Sequence, residues 1–151
     1  MSATTHPPER FSVPTGDGGL VAAIRSAGDS GDPILAVHAT GFCKELWTPL
    51  VERHLTDRPV IAPDQRGHGD SSPIAAPFDW WILAEDTLAV LDAAGWSAVE
   101  GLGHSSGAAA LVMAELLRPG TFRRLVLIEP IIFPGPPYLR MEENPMSAAA
   151  L

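Results

Sequence analysis

The stretch Ala98-Val-Glu-Gly-Leu-Gly-His-Ser-Ser-Gly-Ala-Ala-Ala-Leu-Val-Met-Ala-Glu-Leu-Leu117 decides the fold. Its opening, Ala98 to Leu102, reads as a short strand buried within a sheet. Its second half, Ser106 to Leu117, reads as a helix. That helix must stop near Arg118, because Pro119-Gly120 follows. Between the two stands Gly103-His104-Ser105-Ser106-Gly107. A chain that turns from strand to helix within so few residues is crowded, and glycine at 103 and 107 removes the side chains that would collide.

Working outward, the same alternation repeats. Pro33 to His38, Pro59 to Ala62 and Arg124 to Ile128 are short apolar runs, expected as buried strands. Leu46 to Leu55 carries apolar residues at helical spacing. Asp79 to Ala94 places Trp81, Ala84, Leu88 and Leu91 on one face, with Gly95 as the expected C-cap. Near the start, Phe11 to Pro14 and Leu20 to Ile24 flank Asp17-Gly18, a hairpin signal because such a turn needs positive φ. Strands alternating with helices define an α/β fold: three layers, a mostly parallel sheet, and the N-terminal hairpin extending one edge. The expected organisation is a tail over 1–9, a core over 10–130, and an irregular, proline-rich region over 131–151.

Composition bounds the function. With 151 residues, 46% hydrophobic and 19% charged, the chain is expected to be globular. A net charge of −8 disfavours nucleic acid as a partner. The single cysteine, Cys43, cannot form an internal disulfide. The N-terminal residues lack a signal-peptide pattern, and no apolar run approaches a membrane span. The expectation is therefore a cytoplasmic protein with no membrane partner and an open oligomeric state.

The chemistry-bearing motif is Gly103-x-Ser105-x-Gly107 in a strand–turn–helix setting. There a serine hydroxyl sits at a helix N-terminus, where free N–H groups and the dipole favour developing negative charge. The plainer reading is an ordinary turn with Ser105 or Ser106 as a helix cap. His38-Ala39-Thr40-Gly41-Phe42 follows the first buried strand. Acyl transfer needs donors aimed at an oxyanion, and the backbone N–H groups of Thr40 and Ser106 are the candidates. The plainer reading here is a turn around Gly41.

A third segment, Asp64-Gln-Arg-Gly-His-Gly-Asp-Ser71, resembles the Asp-x-Arg-Gly-x-Gly-x-Ser loop of the α/β-hydrolases. Taken in order with the two motifs above, it extends the resemblance over about Phe11 to Pro130. The resemblance implies a serine hydrolase acting on an ester-like or other acyl bond of a small molecule, with Ser105 as nucleophile, no cofactor and no metal. It also implies a structural role for the 64–71 loop, with Arg66 tying it down and no catalysis by Asp64 or His68. Ala39 stands where the family usually has glycine. Family members that act on haloalkanes or epoxides use a carboxylate nucleophile; serine at 105 points to acyl chemistry instead.

The same family places its acid and then its histidine base after the serine. All five histidines here (His6, His38, His54, His68 and His104) precede Ser105. Glu129, closing the last buried strand, is the candidate acid, or else a strand-end carboxylate holding a loop. The resemblance further implies that 131–151 is the start of the family's cap or lid, and the chain as it stands is thus expected to be a fragment, inactive or nearly so. Phe42 and His104 are candidate substrate contacts, and Trp47 is expected in the core. Cys43 has no base placed around it. Two rivals remain: a non-catalytic binding protein on the same fold, and a dinucleotide-binding domain. The second is disfavoured because Gly101, Gly103 and Gly107 depart from the Gly-x-Gly-x-x-Gly spacing.

Overall fold

The computed structural model describes residues 7–74 and 78–131. Six strands form one sheet: β1 (Glu9–Pro14), β2 (Leu20–Arg25), β3 (Ile34–Val37), β4 (Val60–Pro63), β5 (Val99–His104) and β6 (Phe122–Ile128). The helices are α1 (Thr48–His54), entered through a 3-10 turn at Lys44–Trp47, α2 (Trp81–Ala94) and α3 (Ser106–Leu117). Gly95 ends α2 with φ 67°, the left-handed cap expected there. Strand β1 begins at Glu9, two residues ahead of the Phe11 expected from apolarity. Most of the tail expected over 1–9, and nearly all of the region expected over 131–151, lie outside the described residues.

The strand order is β1-β2-β4-β3-β5-β6. The hairpin strands β1 and β2 pair antiparallel, and β2 joins β4 antiparallel. The remaining pairings, β4 with β3, β3 with β5 and β5 with β6, are parallel. From β3 the chain moves first to one side, into β4, and then to the other, into β5. That reversal puts the carboxyl ends of β3 and β5 at the topological switch point, the place where open α/β sheets hold their ligands.

Two cores flank the sheet. Leu35, Val37 and Ile61 face Ala84, Leu88 and Leu91 of α2 and Leu111 and Ala114 of α3. On the opposite side Ile34, Ala36, Val60 and Ala62 face Trp47, with Leu50, Val51 and Leu55 of α1 packed against them. Successive strand residues point to opposite faces, so an uninterrupted apolar run serves both cores at once. Trp47 is buried, as its spacing predicts.

Strand β6 corrects the sequence reading. Arg124 to Ile128 was expected to be buried, yet Val126, Leu127 and Ile128 are 49%, 37% and 42% exposed. Its residues have the apolarity of a covered strand, but burial depends on neighbours, and β6 is the edge of the described sheet. Leu125 alone of this run packs against the core.

Candidate active site

Ser105 occupies the single residue between β5 and α3. Its backbone, at φ 52° and ψ −112°, lies in a region that L-residues rarely adopt. Backbone hydrogen bonds hold it there. Its N–H donates to Ile128 O at 2.9 Å, and its carbonyl accepts from Ala109 N at 3.1 Å, opening the helix. The flanking glycines are required by packing. A Cβ on Gly103 would lie 2.6 Å from Ala108 Cα; one on Gly107 would run into Val37 O and lie 2.5 Å from His38 O. The start of α3 thus abuts the end of β3. Ser105 makes no side-chain capping bond to the helix it precedes, so the plainer cap reading finds no support at this residue. The side chain is half-buried.

The 38–44 segment reaches the same end of the sheet and is bound to the 64–70 loop. His38 is fully buried. Gln65 N donates to its Nε2 at 2.9 Å, so Nδ1 carries the proton and donates to Ala39 O at 2.8 Å. Burial pushes the His38 pKa below its ordinary value, which keeps the ring neutral. Gly41 N donates to His68 Nε2 at 3.0 Å. Lys44 N donates to Asp64 Oδ1 at 2.7 Å, and Lys44 Nζ reaches Asp64 Oδ2 at 2.6 Å and Asp70 Oδ2 at 2.8 Å. Burial opposes the Lys44 charge, but the hydrogen bonds to Asp64 and Asp70 outweigh it and hold the pKa above the ordinary lysine value. Arg66 grips Asp86 of α2 through Nε at 2.9 Å and Nη2 at 2.6 Å, and also binds Asp17 and Thr15 of the hairpin turn. It therefore ties the loop to two distant elements.

Of the sequence candidates, Ser105, Ser106, Thr40, Phe42, His104 and Glu129 all lie at this end of the sheet. Thr40 is exposed and Ser106 buried. Phe42 is 48% exposed, and its ring centre lies 6.4 Å from that of His104. Glu129 follows β6, whose Ile128 pairs in register with His104; it is exposed, with φ 44°. Two residues escaped the sequence reading: Gln65, whose side chain bridges the segments carrying Thr40 and Ser106, and Lys44. The only sequence signal was place: Gln65 lies in the Asp64–Ser71 loop, and Lys44 lies just after the His38–Phe42 segment. Cys43 is half-buried, and burial together with Glu45 pushes its thiol pKa up, which does not favour a thiolate.

Donor atoms of Cys43, Glu45 and Asp64 gather within 4.8 Å of one another. The Lys44 ammonium already lies among them, 2.6 Å from Asp64 and 3.4 Å from Glu45. It fills the place a cation would take, so this donor set does not fit a metal ion.

A strand–serine–helix junction at the switch point of a mixed α/β sheet defines a class of fold, and comparison with known proteins gives that class its family. The alpha/beta hydrolase fold family matches residues 32–149, and the chain belongs to it. It is 34% identical over 110 residues to lipase LipV of Mycobacterium tuberculosis, covering 72% of this chain and 41% of the lipase. Among solved structures, a hydrolase from Pseudomonas aeruginosa PA01 superposes with TM-score 0.76 at 28% identity, covering 94% of this chain and 52% of that one. Epoxide hydrolase A of Mycobacterium thermoresistibile superposes with TM-score 0.69 at 31% identity, covering 80% of this chain and 39% of that one. The chain thus spans about two fifths to one half of the length of these proteins. No helix among the described residues is long and apolar enough to cross a membrane.

Proposed function

We propose that these residues form the nucleophile-bearing portion of a cytoplasmic serine hydrolase acting on an ester-like or other acyl bond of a small molecule. One observation carries the reading: Ser105 is held at φ 52° between β5 and α3, with no side-chain cap bond to the helix. A strained backbone at the switch point is a cost that a merely structural serine would not require. The named relatives include both a lipase and an epoxide hydrolase. A hydroxyl at the bend favours the acyl branch, because serine adds to a carbonyl, the bond from the acyl carbon to its leaving group breaks, the leaving group departs with the proton that the serine gives up, and water can cleave the ester that remains.

In this reading the carbonyl carbon is attacked by Ser105 Oγ. The backbone N–H groups of Thr40 and Ser106 receive the oxyanion, Phe42 and His104 line the mouth, and Glu129 is the acid. The base is none of the described histidines. Both ring nitrogens of His38 are engaged, His54 is exposed in the last turn of α1, His68 Nε2 accepts from Gly41, and His104 neighbours the serine on a turn that sends adjacent side chains apart. The working core spans 10–130, and 131–151 begins the cap. The test is fluorophosphonate labelling in alkaline buffer, where a serine needs less help from a base, followed by peptide mapping. Labelling concentrated at Ser105 and lost in Ser105→Ala supports the proposal. Labelling spread evenly over surface serines, or none, overturns it.

A further inference from the structure

Gln65 stands apart from every role assigned above. Its side chain is buried in the loop after β4, yet among the described residues it makes no hydrogen bond to the hairpin or α2 as Arg66 does. Its Nε2 donates to two acceptors: His38 O, at the end of β3, and Ser106 Oγ, in the first turn of α3, at 3.0 Å. Its backbone N–H holds His38 a second time, through the ring Nε2 at 2.9 Å. The amide orientation follows from this, since His38 O can only accept and the NH2 group must face it. The carbonyl Oε1, correspondingly, is buried with no partner among the described residues. Keeping a buried acceptor unpaired is costly, so the two NH2 bonds are maintained against a penalty.

The two acceptors belong to the two segments that carry the candidate oxyanion donors. His38 precedes Thr40 by two residues, and Ser106 itself supplies the other N–H. We infer that Gln65 is a positioning residue: its NH2 group spans His38 O and Ser106 Oγ and so sets the separation of the Thr40 and Ser106 amides. The inference rests on the serine-nucleophile reading above and adds to it the residue that sets its donor geometry. The glycine contacts give the same mechanical picture. Gly107 lets α3 press against Val37 O and His38 O, and Gln65 fixes how the two surfaces sit. An oxyanion site tolerates little misplacement, because donors must meet the developing charge at hydrogen-bond distance.

The test uses two variants. Gln65→Met keeps the side chain's length and loses both donors. Ser106→Ala keeps the Ser106 N–H and loses only the Oγ contact, so it guards against Gln65→Met failing to fold. Each is labelled with a fluorophosphonate; the rate at Ser105 is read by intact mass, and the amide 1H shifts of Thr40 and Ser106 are read by NMR before and after labelling. In the wild-type protein both amides move downfield when the phosphoryl oxygen enters the site. In the variants labelling slows at least about 10-fold, less than the ~100-fold or more lost when a donor is removed outright, and one amide no longer shifts. A loss of stability alone would not remove one amide shift and leave the other. Wild-type rates with both shifts retained in either folded variant would overturn the role of Gln65 and leave Ser105 as nucleophile. No labelling of wild-type Ser105 would overturn the nucleophile reading, and this inference with it.

Discussion

Asp64 accepts from both ends of Lys44: the backbone N–H at 2.7 Å on Oδ1 and the ammonium at 2.6 Å on Oδ2. Both residues are buried, at 0% and 2% exposure, and Asp70 N adds a third donor to Oδ2 at 2.9 Å. A fully enclosed carboxylate is stable only when such partners replace its water. The pair therefore fastens the 38–44 segment, which carries Thr40, to the loop after β4.

Removing one partner should be far worse than removing both. Lys44→Met is expected to lower unfolding free energy by about 3–5 kcal/mol, because it strands the Asp64 carboxylate. Adding Asp64→Asn to that variant should restore part of the loss. Urea unfolding of the single and double variants measures the coupling; simple additivity would show that the pair does not act as a unit.

Ser105 pays for its position with backbone strain. Ser105→Gly should raise stability by about 1 kcal/mol, since glycine adopts φ 52° without the Cβ penalty, while abolishing fluorophosphonate labelling. Denaturant midpoints of the two proteins decide the matter. An unchanged or lower midpoint for the glycine variant would mean that the bend stores no strain.

Gly107→Ala should destabilise by about 1–3 kcal/mol, the usual cost of overpacking. The new methyl would press on the carbonyls of Val37 and His38, which are backbone atoms and cannot rotate away. Thermal unfolding reads the loss. The same variant should slow labelling of Ser105, because the strain falls on the segment leading to Thr40.

Stability should fall in acid in two stages. Burial lowers the His38 pKa below the ordinary 6.5. The unfolded chain therefore takes up a proton that the folded one refuses, and stability present above about pH 6.5 declines as pH drops, by at most ~1.4 kcal/mol per pH unit. Lower still, Asp92 held by Arg118, Glu115 held by the Gly120 and Phe122 amides, and Asp70 held by Lys44 have depressed pKa values. Their contribution is present above the ordinary carboxylate range and is lost as pH falls through those lowered values. Urea midpoints measured from about pH 7 to about pH 3 should show both stages. A flat profile near pH 6 would contradict a neutral, buried His38.

The exposed residues Val126, Leu127 and Ile128 sit on β6, which has no strand on its outer side among the described residues and so offers a template for strand addition. Residues 1–151 alone should self-associate in sedimentation velocity as concentration rises, and Val126→Lys should suppress it. Association unaffected by the lysine would place the contact elsewhere.

Strand and helix positions were legible in the sequence because they depend on periodicity and local sterics. The short runs at 34–37 and 60–63 and the helix over 106–117 stand where their residues predicted. Ser105 was legible too, through the glycines on either side. Gln65 was not, since nothing in its neighbours distinguishes a bridging amide from a solvated one. The exposure of β6 was equally hidden, because an apolar run records what a strand can bury and says nothing of what covers it.

The order of residues by itself determined the alternation of strands and helices and the bend at Ser105, which follow from side chains within a few positions of one another, and the family, which follows from three such local motifs taken in order. Only the tertiary structure decided that β3 and β5 lie side by side at the switch point, that His38 and His68 are already engaged, and that Gln65 joins His38 to Ser106. The reason is reach. Steric and periodic preferences act between chain neighbours, whereas a hydrogen bond needs two atoms within about 3 Å, and for residues separated by dozens of positions only the folded sheet brings them there.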